Sequence, residues 1–298
     1  MENDFDPLDP SLPPLGSQPL AVGQEQLLGG RYRLGQVLSL GAVGAVYDGV
    51  DTETGRPVVI KMMQWWEEDP KALARFRREA EAARALRHPN IVEVLDIRQS
   101  DGVQYFVMEK VAGEELGRLL RGNRQVPNRK VAIITQQLTS ALAAVHAHGV
   151  VHRDVKPGNI LVADFETPDP LVKLIDFGVA KVVSSESHLT GDRHILGALG
   201  YMAPEQAMGK SSEADQRADV YALGAIVYRM ITGRQPIRGT TMVEFAREIM
   251  TQAPPPPSEF APVSPELEAV LLKCLARSRD DRYPTVEAFW AALEPALA

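Results

Sequence analysis

The run His152-Arg153-Asp154-Val155-Lys156-Pro157-Gly158-Asn159 is followed seventeen residues later by Asp176-Phe177-Gly178. The two motifs hold between them an amide oxygen, two carboxylates and a lysine, a set with its own chemistry. The oxygens of Asn159 and Asp176 suit Mg²⁺, a hard cation that dehydrates reluctantly and is held by one or two protein oxygens together with the phosphates of a substrate. Asp154 is then placed to take the proton of an incoming hydroxyl. An aspartate that merely capped a turn would need none of Lys156, Asn159 or Asp176 behind it.

Three further motifs stand in order around this stretch: Val58-Val59-Ile60-Lys61 before it, Asp176-Phe177-Gly178 at its end and Ala203-Pro204-Glu205 after it. With them the chain resembles the eukaryotic-type protein kinases, most closely the bacterial serine/threonine kinases of that family, over roughly residues 30 to 292. The resemblance implies an ATP-dependent enzyme that moves the γ-phosphoryl group of Mg-ATP to Ser and Thr hydroxyls of proteins and phosphorylates itself, with Mn²⁺ as an alternative metal. Such transfer asks a protein for positioning and charge stabilisation more than for covalent chemistry. By resemblance, Lys61 reaches the α- and β-phosphates and pairs with Glu79, Asp154 is the base, and Lys156 neutralises the γ-phosphate. Asn159 and Asp176 hold the metal. Val46, Val59 and Leu161 sandwich the adenine, the backbone from Glu109 to Val111 hydrogen-bonds it, and Met108 stands as gatekeeper. The order Asp154-x-Lys156-x-x-Asn159 is similar to that of serine/threonine rather than tyrosine kinases. Glu205 is expected to pair with Arg282, and Asp219 to hold the catalytic loop from below. Arg153 is expected to await a phosphate on the polar segment after Asp176, with Thr190 as the site.

Two positions depart from the family pattern. The nucleotide loop reads Ser39-Leu40-Gly41-Ala42-Val43-Gly44-Ala45-Val46, with Ser39 where the first glycine is expected. Gly41 and Gly44 still admit close backbone approach to phosphate. Ala198 stands where serine/threonine-specific members carry a threonine that bridges the base and Lys156; losing such a bond to charged groups is worth about 1.5 to 3 kcal/mol. These departures motivate a rival reading, a pseudokinase that binds nucleotide and acts as a scaffold. A small-molecule phosphotransferase is a third reading, and Ala203-Pro204-Glu205 argues against it.

These residues need elements to hold them. Short β-type runs at Tyr32-Arg33-Leu34, Ala45-Val46-Tyr47 and Pro57-Val58-Val59-Ile60, with a polar turn from Asp51 to Arg56, predict a small hairpin-rich sheet. Ile91-Val92-Glu93-Val94-Leu95 and Tyr105-Phe106-Val107-Met108 are expected to complete it. Leu73, Phe76, Ala80 and Ala83 predict one helix over Lys71 to Leu86. Past Gly113 the pattern turns helical, with an amphipathic helix over Lys130 to His148 and a nearly all-apolar one over Asp219 to Ile231. The expected fold is α+β and bilobal: a disordered acidic, Pro-rich tail over 1–29, a small antiparallel sheet lobe with one main helix over 30–111, and a larger, mainly helical lobe over 112–298. Thr241 to Thr251 is expected to be an amphipathic helix, either a docking surface or packed on its own lobe.

Composition bounds the partners. Net charge is −7 over 298 residues, and Glu2, Asp4, Asp6, Asp9 and Glu25, with no Lys or Arg before residue 27, supply most of it. A nucleic-acid binder is not expected. No apolar run approaches the roughly 18 residues of a membrane span, and no secretion signal is legible, so the cytoplasm is the expected compartment. The expected partners are protein substrates, ATP and a second copy of the chain for autophosphorylation. The lone Cys274 sits in an apolar run and is expected to be a packed thiol.

Overall fold

The computed structural model describes residues 27–41, 44–63, 84–100, 103–175, 199–209, 214–237, 239 and 241–298. The chain divides into two compact units, Met1–Asp69 with Val94–Lys110, and Pro70–Glu93 with Val111–Ala298.

The first unit is an antiparallel sheet in the order β1-β2-β3-β4-β6-β5, built from β1 (Leu27–Leu28), β2 (Tyr32–Gly41), β3 (Gly44–Asp51), β4 (Pro57–Met63), β5 (Val94–Ser100) and β6 (Val103–Glu109). Side chains alternate between the faces of a strand, and β3 shows it, with Ala45, Tyr47 and Asp51 buried between half-buried neighbours. Leu28, Tyr32, Ala45, Tyr47, Val58, Ile60, Tyr105 and Val107 form the core of this unit. The sheet curls until β2 meets β5: the Tyr32 hydroxyl donates to Asp96 at 2.7 Å, although the two strands are not hydrogen-bonded neighbours. Asp51 ends β3 and anchors the following turn, taking both nitrogens of the Arg31 fork at 2.8 and 2.7 Å.

Two expectations are corrected. The tail expected to run through Gly29 gives way to structure at Leu27: Leu27 and Leu28 pair with Arg33 and Tyr32, and Leu28 is buried. The reversal uses Gly29 and Gly30, at φ +57° and +71°, a conformation glycine adopts without steric cost. The run Ile91 to Leu95 does not enter the small sheet as a whole. Ile91 bridges Leu174 and packs in the core of the second unit, Val92 donates to the Leu174 carbonyl at 2.9 Å and is buried, and β5 begins only at Val94. Backbone pairing with Leu174 takes the place of pairing in the small sheet for these two residues. Of the helix expected over Lys71 to Leu86, residues 71–83 lie outside the described residues.

The second unit carries a small sheet, β7 (Glu114–Glu115), β8 (Ile160–Ala163) and β9 (Leu171–Leu174), with α1 (Leu116–Leu119), α2 (Asn128–Ala147), α3 (Pro204–Ala207), α4 (Arg217–Thr232), α5 (Met242–Thr251), α6 (Pro265–Cys274) and α7 (Val286–Ala296). Val131, Ile134, Leu138, Ala141, Leu142 and Val145 make the buried stripe of α2, at the three- and four-residue spacing of one helix face. α4 is buried almost all round and ends at Gly233 in the left-handed conformation, φ +73°. Thr241, Ser264 and Thr285 cap α5, α6 and α7 through their hydroxyls, each accepting a backbone N–H at 3.1 Å. Phe245 and Ile249 of α5 are covered by Leu199 and Ile237, so this face is packed within its own unit. Cys274 is buried, donates its S–H to the Val220 carbonyl, and burial pushes its thiol well above the ordinary range. No helix among the described residues is long and apolar enough to cross a membrane.

Candidate functional site

The loop between α2 and β8 gathers three of the expected residues on one carboxylate. The chain leaves α2 through Gly149, runs without regular structure to Lys156, and makes a 3-10 turn over Pro157–Asn159 that feeds β8. Lys156 Nζ donates to Asp154 Oδ2 at 2.8 Å. Asn159 Nδ2 donates to the same oxygen at 2.9 Å and to the Asp154 carbonyl at 2.8 Å. The amide thus spends its nitrogen on Asp154, and its carbonyl oxygen, the atom a hard cation takes, has no part in these bonds. Asp154 keeps 12% of its side chain exposed and Lys156 28%, so both remain accessible to a reactant. Ile175 donates its N–H to the Asn159 carbonyl at 2.8 Å, tying the end of β9 to this turn immediately before Asp176.

The loop is held from inside the unit. Asp219, fully buried in α4, accepts the backbone N–H of His152 and of Arg153, both at 2.8 Å. Its Oδ2 also accepts from His146 Nε2 at 2.8 Å. Arg153 sits at φ +62°, a region a non-glycine residue occupies only when its surroundings impose it. Gln206 Nε2, from α3, donates to the Arg153 carbonyl at 2.9 Å and braces the same residue from the other side. The Arg153 guanidinium reaches the Ala214 carbonyl at 3.2 Å, while its Nε is buried and without a hydrogen-bond partner among the described residues. α3 is fixed in turn by Glu205, whose two oxygens take the Arg282 fork at 2.8 Å each. The other Arg282 donors go to the carbonyls of Ala276, Arg217 and Arg277, so this fully buried cation is saturated.

In the first unit, strand register gathers the other expected residues on one face. Directly paired residues share a face, and Val46 pairs with Lys61, Val59 with Met108, and Ser39 with Val46. Since Val58 and Ile60 point into the core, Val59 and Lys61 point away from it. The hairpin closes with Gly41 opposite Gly44, which at φ +147° needs to be glycine. Ser39 is exposed, and by this register its hydroxyl is on the side of Val46 and Lys61. Glu109 ends β6, Val111 opens the second unit, and Leu161 lies in β8 opposite Glu115 and Lys173. Glu79, Asp176, Thr190 and Ala198 lie outside the described residues.

Two supporting residues escape the sequence reading. His146, at the edge of the buried stripe of α2, looks like an ordinary surface polar residue, and Gln206 meets a backbone carbonyl that no spacing rule points to.

The chain matches the protein kinase domain model over residues 32–291. It is 38% identical over 272 residues to the serine/threonine-protein kinase pkn3 of Myxococcus xanthus, covering 89% of this chain and 49% of that protein. It is 37% identical over 267 residues to the serine/threonine-protein kinase PknB of Mycolicibacterium smegmatis, covering 87% of this chain and 42% of that protein. It therefore spans about half or less of the curated relatives it matches. Among solved structures, Rad53 1-466 in complex with AMP-PNP is similar, with a TM-score of 0.70 and 25% identity, covering 88% of this chain and 64% of that one.

Proposed function

This chain belongs to the protein kinase domain family, and on that premise we propose that it transfers the γ-phosphoryl group of ATP to Ser and Thr hydroxyls of proteins, itself included. The observation that carries the reading is the convergence of Lys156 and Asn159 on Asp154. Asp154 accepts the proton of the acceptor hydroxyl, in the geometry set by its two neighbours. Lys156 then stands beside the charge that develops on the transferred group. Lys61, paired with Glu79, holds the α- and β-phosphates, and Val46, Val59, Met108, Leu161 and the backbone of Glu109 and Val111 receive the base. The residues fit a hard divalent cation, since the Asn159 amide oxygen is turned away from the bonds its nitrogen makes; Asn159 and Asp176 are the ligands, and Mn²⁺ suits the same oxygens. The metal supplies neutralisation of phosphate charge. Ser39 and the backbone of Gly41 and Gly44 cover the phosphates.

In this reading the chain passes from the small lobe to the large one near residue 111, a phosphate on Thr190 docks on the Arg153 guanidinium, and self-phosphorylation between copies makes a second chain a partner. The cytoplasm, where ATP is available, is its compartment.

Incubating the chain with labelled ATP, Mg²⁺ and a generic acceptor tests the proposal. Asp154→Asn is expected to lower transfer by about 10² to 10⁴ while ATP still binds. Wild-type protein that binds ATP yet labels neither acceptor nor itself is a scaffold instead.

A further inference from the structure

Around the end of α4 the second unit gathers arginines from separate segments. Arg229 donates to the Leu120 carbonyl at 2.6 Å. Leu120 opens the turn that carries Arg121 and Arg124, and Gly233 lies so close to the Asn123 carbonyl that no Cβ would fit there. Arg234 follows, 4.9 Å over the Phe260 ring, and the Phe260 carbonyl takes the Gln125 amide at 3.0 Å. The carboxylates on these segments include Glu114, Glu115, Glu166 and Glu259; Glu115 pairs with Arg118 at 3.6 Å, Glu166 with Arg124 at 2.9 Å, and Glu259 is exposed next to Phe260. Arg121 and Arg234 are exposed and in no ion pair among the described residues. A cation in the last turn of a helix complements its dipole, which accounts for Arg229 but for neither of these two.

This surface adjoins the segment that braces the loop beside the base: Gln235, next to Arg234, lies so close to Gly200 that a Cβ there would meet its side chain at 2.8 Å. Tyr201 follows Gly200 and lies five residues before Gln206, and Gln206 grips the carbonyl of Arg153, the residue preceding Asp154. A polypeptide presenting its hydroxyl to Asp154 spans about 3.3 Å per residue, so its neighbouring residues run past this segment within a few positions. We propose that Arg121 and Arg234 read the acceptor chain, and that the substrates are proteins whose acceptor hydroxyl is flanked by acidic residues. This rests on the phosphoryl-transfer reading above. A nucleic acid is the poorer occupant: the chain is −7 overall, whereas screening over about 8 to 10 Å lets a short acidic segment feel mainly the local arginines.

The test uses the full chain and Ser/Thr-centred peptides whose flanking residues are Glu, Ala or Lys. With two exposed charge pairs at stake, kcat/KM is expected to be about tenfold higher for the Glu than for the Lys peptide, and the ratio to shrink with added salt. Arg121→Glu with Arg234→Glu is expected to abolish or invert that ratio, while ATP hydrolysis without acceptor stays at its wild-type rate and shows the fold intact. Equal rates on the Glu and Lys peptides, or a double variant that keeps the acidic preference, would overturn the proposal alone. No transfer to any peptide or to the chain itself would overturn the phosphoryl-transfer reading and this one with it.

Discussion

At the scale of residues, Asn159 has two jobs that a single substitution separates. Its nitrogen positions Asp154 and its oxygen is the proposed metal ligand. Asn159→Asp keeps an oxygen for the metal but sets a second carboxylate against Asp154 and removes both donated hydrogen bonds. Turnover is expected to fall about 10- to 100-fold, the usual cost of losing a positioning contact, and kcat measured across Mg²⁺ concentrations should show excess metal failing to restore it. The trio Asp154, Lys156 and Asn159 was legible in the sequence because all three lie within six residues of one loop, where spacing constrains geometry. The pairing of Glu205 with Arg282 spans 77 positions and was legible only through resemblance. His146 and Gln206 were not legible, since a buried carboxylate in another helix and a backbone carbonyl leave no local pattern.

At the scale of elements, two contacts carry the scaffold beneath the loop. The pair between α3 and Arg282 is buried and saturated, so Glu205→Ala leaves a guanidinium without its counter-charge; a loss of about 3 to 5 kcal/mol is expected in denaturant unfolding. α4 packs on α6 where Gly224 faces Cys274, and a Cβ on Gly224 would lie 2.9 Å from the Cys274 Cβ and closer to its sulfur. Gly224→Ala is expected to cost about 1 to 3 kcal/mol as overpacking. Adding Cys274→Ala, which removes the obstructing sulfur, should make the double variant more stable than the sum of the single losses allows. The buried stripe of α2 and the apolar length of α4 were readable from periodicity. The fate of Ile91 and Val92 was not, because an apolar run states that it will be buried and not which partner buries it.

At the scale of the whole molecule, each unit holds a carboxylate below its ordinary range. The Arg31 fork does so for Asp51 in the first unit and Arg217 for Asp215 in the second. Both carboxyls bind protons more weakly folded than unfolded, so their stabilisation is fully present above the unfolded value of 3.8 and is lost as the pH falls below it. Thermal midpoints between neutral and strongly acidic pH should therefore drop steeply at the acid end, and Asp51→Asn with Asp215→Asn should flatten that limb while lowering the neutral plateau. The burial of Asp219 reaches further than holding a loop in place. With 1% of its side chain exposed, its carboxylate covers the amide protons of His152 and Arg153. Deuterium from solvent can replace them only when the α4 core opens. Loop amides ordinarily exchange among the first in a protein. Here two loop amides next to the proposed base should exchange among the last, so their isotope uptake reports the integrity of the entire second unit.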